Sequence, residues 1–492
     1  MSPSPPPPAP SLVTDALDGA LVPPRARRFF CNRTLNLRSL RAIGFDMDYT
    51  LVHYAVHAWE ERAFEHARAG LAARGWPVGD WSFDPELVTR GLVLDLKLGN
   101  VVKANRFGYV TRAAHGTRLL EFDEQRRAYS RLLVDLAEPR WVFLNTLFSL
   151  SEGSLFSLGV ELLDAGALPH AMGYADLYDA VKSCVDAAHV EGELKAEILA
   201  APERYVELDP ELPLALLDLK HAGRDLLLVT NSEWGYTDAM MRYVLDPALG
   251  GRSWRELFTL IIVQSRKPAF FTAKQPVFEV VDESGLLRPW IGKLRPGGAY
   301  LGGHAGLIEQ GLGIAPEEIL YVGDHMFADV HVSKDILRWR TALVLHELEA
   351  EIAAAESFEA DQRLLARLMR EKREKELRFS QVRLGLQRIE AAYGPRPQAP
   401  PERLRQLLQS LRAELVALDQ QIAPLARAAG RLVNERWGPL LRAGSDKSLL
   451  ARQIERYADV YTSRVSNFLV ETPFEYLRAP LGQLPHDGSE PG

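Results

Sequence analysis

Residues 43–52 read Ile-Gly-Phe-Asp-Met-Asp-Tyr-Thr-Leu-Val, and two carboxylates, Asp46 and Asp48, stand two apart just after the apolar run Ala42–Phe45. The run reads as a buried strand arriving at its carboxyl end, where open α/β sheets place their chemistry. Period-2 geometry points Asp46 and Asp48 the same way for as long as the strand lasts. One carboxylate is then placed to attack a phosphorus while the other manages the proton of the leaving group. An Asp-x-Asp alone is a weak signal, because acidic pairs are common in loops.

Three later segments make it specific. Residues 225–232 read Asp-Leu-Leu-Leu-Val-Thr-Asn-Ser, residues 261–268 read Ile-Ile-Val-Gln-Ser-Arg-Lys-Pro, and residues 319–329 read Ile-Leu-Tyr-Val-Gly-Asp-His-Met-Phe-Ala-Asp. Each is an apolar strand that ends in polar groups: hydroxyl and amide, then a lysine, then Gly-Asp with a second Asp five residues on. The order is Asp-x-Asp-x-Thr, Thr, Lys, Gly-Asp-x-x-x-x-Asp, which suits a phosphate and a divalent cation. This ordered set resembles the haloacid dehalogenase-like phosphohydrolase superfamily. The resemblance implies an α/β fold with a Rossmann-like core and a parallel sheet.

The chain has 492 residues and a formal charge of −7, too long for one small core and mildly acidic. The charge, with a pI near 6.0, argues against nucleic acid as the main partner, since phosphate-backbone contacts need clustered Lys and Arg. Cys31 and Cys184 have no metal-ligand spacing and read as reduced structural thiols. No basic region followed by an apolar segment marks a secretory signal, and no apolar run is long enough to span a bilayer. A soluble, cytoplasmic protein without a membrane partner is expected.

The domain expectation follows from spacing. Residues 1–30 are a proline-rich disordered tail and lead-in. Residues 31–60 and 215–346 form the catalytic core. Residues 61–214, far more than one crossover helix needs, form a large cap inserted between the first and second motifs. Residues 347–492 form a helical arm and a C-terminal segment packing on the core. Within the cap, Gly99–Thr111 reads as a hairpin turning at Asn105–Gly108, and residues 174–200 as an amphipathic helix. Two charged helical stretches, about Glu347–Glu390 and Glu402–Ala429, are separated by Pro395-Arg-Pro-Gln-Ala-Pro-Pro401. They read either as solvated amphipathic faces or as a coiled coil for oligomerisation. Trp339–Leu345 reads as a strand and Leu449–Arg464 as a helix.

Phosphate monoesters are anionic and resist anionic attack, so a site must neutralise the phosphoryl oxygens, align a nucleophile and protonate the leaving oxygen. On that chemistry Asp46 is the nucleophile, forming an aspartyl-phosphate, and Asp48 is the general acid and later the base for water. Thr230, Asn231 and Ser232 hold phosphate oxygens, and Lys267 places a positive charge against the phosphate and Asp46. Magnesium fits the metal role, through Asp46, Asp324 and the backbone carbonyl of Asp48, with Asp329 nearby as an outer ligand or an orienter of Lys267. Singly, each has a blander reading: a cap for Asp48 or Asp329, a turn residue for Thr230, a solvated lysine for Lys267. His325 lacks partners at metal-site spacing and reads as structural rather than a zinc ligand.

A closer resemblance covers nearly the whole chain. Phe45–Leu51, Thr89-Arg-Gly-Leu-Val-Leu94, Leu144-Asn-Thr-Leu-Phe148, Ser265-Arg-Lys-Pro-Ala-Phe-Phe271, Tyr321–Phe327 and Arg456-Tyr-Ala-Asp-Val-Tyr461 are similar to the cytosolic purine 5′-nucleotidase family. The resemblance implies magnesium-dependent hydrolysis of inosine and guanosine monophosphates, possible transfer of phosphate to a nucleoside, and a homo-oligomer. It also implies a nucleotide pocket containing Phe148, Asp186, His189 and Lys195. Lys182 replaces the family's arginine there, keeping a donor but losing the planar fork, and Val190 replaces a tyrosine. These departures bear on base preference. Another small phosphomonoester, such as a sugar phosphate, is therefore the alternative substrate, and a non-catalytic scaffold the alternative class.

The family's effector site for nucleoside triphosphates is matched by Asn145, Phe327, Arg340, Arg442 and Gln453, but Asp135 and Asp335 stand where it has basic residues. Two anions there repel a triphosphate. Activation by ATP is therefore expected to be weak or absent, and a several-fold rise in rate on adding ATP contradicts this.

Overall fold

The computed structural model describes residues 24–169, 171–190 and 192–482, except the side chains of His189 and Val190. The proline-rich residues 1–10 lie outside that range. The chain forms two compact units. The first comprises the described residues up to Tyr54, Val206–Leu348 and the chain from Glu455 on; the second comprises Ala55–Tyr205 and Glu349–Ile454.

A ten-stranded sheet organises the first unit. Its strands are β1 (Phe30–Cys31), β2 (Ala42–Phe45), β3 (Asp225–Val229), β4 (Leu260–Val263), β5 (Val277–Val280), β6 (Leu287–Pro289), β7 (Gly298–Gly302), β8 (Ile319–Gly323), β9 (Arg340–Val344) and β10 (Val460–Thr462). The order across the sheet is β1-β10-β9-β8-β2-β3-β4-β7-β5-β6. From β10 to β7 neighbouring strands run parallel, and β1, β5 and β6 add antiparallel edges. The central strands are apolar throughout because a parallel sheet is covered on both faces; every residue of β2, β4 and β8 is buried. β2 lies between β8 and β3, with Gly44 opposite both Tyr321 and Leu227. The carboxyl ends of β2, β3, β4 and β8 therefore gather the four motifs.

The C-terminal region departs from the sequence expectation twice. Residues 349–454 belong with the second unit, and only the chain from Glu455 on returns to the sheet-bearing unit, so 347–492 is not one segment packing on the core. The helix expected over Leu449–Arg464 stops at Tyr457, and Val460–Thr462 becomes β10. Buried Asp459 makes the break: its carboxylate accepts from Thr341 N at 3.0 Å and pairs with Lys334 Nζ at 2.7 Å and Arg340 Nε at 3.1 Å. Those bonds hold residues 458–462 extended beside β9. The unit boundaries fall at Tyr54 and Val206 rather than at 60 and 215, because His53–Tyr54 pairs with Val206–Glu207 inside the first unit.

The second unit carries a five-stranded antiparallel sheet that includes Asn100–Ala104 and Val110–His115, joined through the Asn105–Gly108 turn. Helices Val56–Ala73, Leu150–Asp164 and Tyr174–Val190 pack together. The expected 174–200 helix is divided, since Gly192 takes a left-handed φ of 80° before Glu193–Ala200. Glu359–Glu390 and Pro401–Ala429 form a helical hairpin. The covered positions of the first helix include Leu365, Leu368, Lys372, Lys375, Phe379, Val382, Leu386 and Ile389, which fall in a 3-4 repeat of the coiled-coil kind. Lys372 and Lys375 interrupt the apolar seam and pair across it with Asp419 and Glu414. The apolar stripe is thus covered by the neighbouring helix of the same chain. Among the described residues no helix is long and apolar enough to cross a membrane, and both cysteines are free thiols.

Glu60, on Val56–Ala73, is fully buried; Oε2 accepts from Ser151 N at 2.9 Å, and among the described residues Oε1 has no hydrogen-bond partner. Burial pushes its carboxyl up to about 8. The folded chain favours the neutral acid, so this site's stabilisation is present below the ordinary value of 4.5 and is lost as pH rises towards 8. Thermal unfolding across that window is expected to show a decline that Glu60→Gln flattens, by on the order of 4 kcal/mol at pH 8. An unchanged pH profile in the variant contradicts this.

Candidate active site

β2 ends at Phe45, and the chain turns at once: Leu51 N and Val52 N both donate to Met47 O at 2.9 Å. Tyr49 takes φ 53°, an uncommon conformation for a bulky residue and one that recurs at functional loops. The strand stops before Asp48, so the turn, not period-2 alternation, sets that carboxylate. Asp46 and Asp48 sit in different surroundings. Asp46 Oδ1 accepts from Met47 N at 2.7 Å and Lys267 Nζ at 2.8 Å. Asp48 Oδ1 accepts from Tyr54 OH at 2.6 Å, and Oδ2 from Ser232 Oγ at 2.8 Å.

Lys267 is the centre of the site. Its buried ammonium lies 2.8 Å from Asp46 Oδ1, 2.8 Å from Asp329 Oδ1 and 3.0 Å from Tyr321 OH. Burial pulls its pKa down, but the charges of Asp329 and Asp46 outweigh that and hold it well above the ordinary lysine range. Asp46 moves up to about 7, chiefly through burial, with Asp329 adding and Lys267 opposing. The loop that presents Lys267 is tight, with Gln264 at φ 43° and Arg266 at φ 58°. Asn231 fastens it: Oδ1 accepts from Lys267 N at 2.7 Å and Ser265 Oγ at 3.0 Å, and Nδ2 donates to Lys267 O at 3.3 Å.

Asn231 and Ser232, the expected phosphate ligands, thus also have protein partners. Both side chains bond protein groups, Asn231 the Lys267 loop and Ser232 the Asp48 carboxylate. Thr230 is fully buried at the end of β3, its Oγ1 accepting from Ser232 N at 3.1 Å. Beyond β8, His325 Nδ1 accepts from Phe327 N and Ala328 N, capping the turn Met326–His331. That is the structural role expected of it.

Sequence reasoning missed the residues that make room. Gly44 leaves space for Tyr321, whose Cδ2 would lie 2.9 Å from a Cβ there. Tyr321 OH donates to Val229 O at 2.9 Å and accepts from Lys267. A tyrosine in an otherwise aliphatic buried strand was the available signal, since a buried hydroxyl needs a partner. Gly323 does the same for Asp329, whose Oδ2 would lie 2.5 Å from an added Cβ.

The other expected pocket residues lie in the second unit. Phe148 is half-buried, edge-on to Trp59 at 5.5 Å between centroids. Lys182 Nζ is 3.1 Å from Asp186 Oδ1 and 3.9 Å from Glu152 Oε2. Asp186 is exposed, Lys195 is half-buried on Glu193–Ala200, and the side chain of His189 lies outside the described residues.

A family model described as the 5′ nucleotidase family matches residues 29–489. The chain belongs to that family. The 5′-nucleotidase domain-containing protein 2 of Homo sapiens is 28% identical over 475 residues, 92% of this chain and 84% of that protein. A 5′-nucleotidase domain-containing protein of Dictyostelium discoideum is 25% identical over 480 residues, 93% of this chain and 74% of that protein. An archaeal β-phosphoglucomutase from a Pyrococcus strain overlays with a TM-score of 0.31 at 13% identity, covering 63% of this chain and 88% of that one. That likeness is too slight to bear on the site. As a member of the 5′ nucleotidase family the chain is a phosphomonoester hydrolase of the class that acts on nucleotide phosphates.

The carboxylates also fit the divalent metal typical of such enzymes. Asp46, Asp324 and Asp329 each place one oxygen within 4.8 Å of the others, and all three are buried. Lys267 pairs with two of these three carboxylates, and carboxylates gathered in a dry environment are costly unless they are offset. A hard cation bound by oxygen ligands offsets them.

Gly323→Ala tests the geometry. The added methyl displaces the Asp329 carboxylate and removes one partner of Lys267. Overpacking of this kind costs about 1–3 kcal/mol. The expected result is a drop in kcat of about ten-fold or more beside only that modest loss in urea unfolding. Full activity contradicts the role given to Asp329.

Proposed function

We propose that the protein is a magnesium-dependent 5′-nucleotidase acting on purine nucleoside 5′-monophosphates of the inosine and guanosine type through an aspartyl-phosphate. The observation that carries this reading is the Asp46–Lys267–Asp329 contact in a member of the 5′ nucleotidase family. Asp46 Oδ1 is held by Met47 N and Lys267, which leaves Oδ2 without a protein partner among the described residues and free to attack. As its bond to phosphorus forms, the bond to the 5′ oxygen breaks and Asp48 protonates that oxygen. Asp48 then takes a proton from water, which attacks the phosphorus and releases phosphate from Asp46. A nucleoside hydroxyl in place of water makes the second step a phosphotransfer.

Asp46 and Asp324, with the backbone carbonyl of Asp48, would hold magnesium, and Asp329 orients Lys267. The ion, when bound, neutralises phosphoryl oxygens and keeps Asp46 ionised. Lys267 adds positive charge to the same oxygens. Asp186 has the acceptor chemistry for a purine ring N–H, and Lys182 and Lys195 supply donors. A cytoplasmic, homo-oligomeric enzyme acting on a small nucleotide, not on nucleic acid or a membrane, completes the proposal.

Phosphate release from inosine, guanosine, adenosine and cytidine monophosphates and from a sugar phosphate tests it, with magnesium or EDTA and beside Asp46→Asn. The expected result is magnesium-dependent turnover favouring the inosine or guanosine ester, reduced at least about 10³-fold in Asp46→Asn. Turnover of the sugar phosphate alone contradicts the nucleotide assignment, and turnover in EDTA contradicts the metal.

A further inference from the structure

Asp48 is gripped from both sides, on one of them by a tyrosine that lies outside the four motif segments. Ser232 Oγ donates to one carboxylate oxygen at 2.8 Å, and Tyr54 OH to the other at 2.6 Å. Tyr54 OH lies 3.0 Å from Tyr236 OH. A phenol has one hydrogen, and that of Tyr54 is given to Asp48, so Tyr236 donates to Tyr54. Both tyrosines are 1% exposed. Tyr54 ends the short strand His53–Tyr54, which pairs with Val206–Glu207, and its ring meets Tyr49 edge-on at 5.2 Å. Tyr236 stands on the helix Trp234–Leu245, which begins just after Ser232. Asp48 itself lies in a turn, its backbone bridged to Val52. Its side chain is oriented by these two donors, and one of them is carried on a separate element with a second tyrosine behind it.

We propose that Tyr54, backed by Tyr236, is a positioning residue that holds the Asp48 carboxyl in line with the leaving oxygen. The proposal rests on the assignment of Asp48 to leaving-group proton transfer given above. Burial holds both phenols above the ordinary tyrosine range, so both stay donors throughout the working pH. An oriented carboxyl matters most where the leaving group is a poor one. A nucleotide releases an alkoxide, which needs a proton as the P–O bond breaks. A nitrophenyl ester releases a stable phenolate, which does not.

The test compares the wild-type protein with Tyr54→Phe, Tyr236→Phe and Asp46→Asn on inosine 5′-monophosphate and p-nitrophenyl phosphate, with magnesium. Steady-state constants are measured on the first, and the rapid-quench burst of nitrophenolate on the second. Tyr54→Phe is expected to lose about 10- to 100-fold in kcat on the nucleotide with KM within about two-fold, while its nitrophenolate burst stays within about three-fold. Tyr236→Phe, which keeps the Tyr54–Asp48 bond, is expected to lose less in the same direction. The retained burst doubles as proof of folding. Equal loss on both substrates, or no loss on the nucleotide, overturns the proposal while leaving an inactive Asp46→Asn, and hence the aspartyl-phosphate reading, in place. An Asp46→Asn protein that keeps its rate overturns both.

Discussion

One ammonium, that of Lys267, organises the site. Asp46 and Asp329 leave β2 and the turn after β8, and without a shared cation between them two buried carboxylates repel. Lys267 reaches both at 2.8 Å, and much of the surrounding backbone serves that contact. Asn231 ties down the loop that carries the lysine. Tyr321 bridges Lys267 to Val229 O. Gly44 and Gly323 are small so that Tyr321 and Asp329 can lie where they do. The buried charges are satisfied together or not at all, and removing one partner leaves the others uncompensated. The same arrangement gathers three buried carboxylates around that ammonium, which connects the packing of the protein to its expected need for a cation.

The sheet centre and the convergence of the candidate site residues were legible because burial on both faces gives parallel strands a continuous apolar signature, and each such strand ends in a polar group. Asp46, Lys267, Asp324 and Asp329 converge as their positions on strand ends imply. What stayed hidden is the close packing of Gly44, Tyr321 and Gly323 on those strands and several residues off them. Tyr54 and Tyr236 are ordinary aromatic residues in sequence, and only the fold sets them against Asp48. Asn231 and Ser232 read as phosphate ligands because they follow a strand; that their side chains also bond the Lys267 loop and Asp48 is set by the fold. The run 460–462 looked helical because it continues Leu449–Tyr457; the buried carboxylate of Asp459, with its bonds to Thr341, Lys334 and Arg340, decides otherwise. That is a long-range effect that no local pattern carries.

The second unit follows a different logic. Its helical hairpin uses an apolar seam interrupted by Lys372 and Lys375, each paired with an acid on the facing helix. The acids of these pairs are about half exposed, 55% for Asp419 and 43% for Glu414, and ion pairs at such exposure contribute little to stability. Elsewhere Lys103, 5% exposed, donates to the carbonyls of Trp437 and Pro439 at 2.6 Å, joining the inserted segment to the chain that returns near residue 437. Segments distant in sequence thus form one unit through a few buried polar contacts as well as through apolar packing.

The central claim is that Asp46, held by Lys267, becomes covalently phosphorylated. Acid quenching of the wild-type protein during turnover, borohydride reduction and peptide mass spectrometry test it directly. Homoserine is expected at position 46, formed only when substrate is present and absent from Lys267→Ala. Unmodified Asp46 in protein that is turning over substrate, or phosphate trapped on another residue, contradicts it.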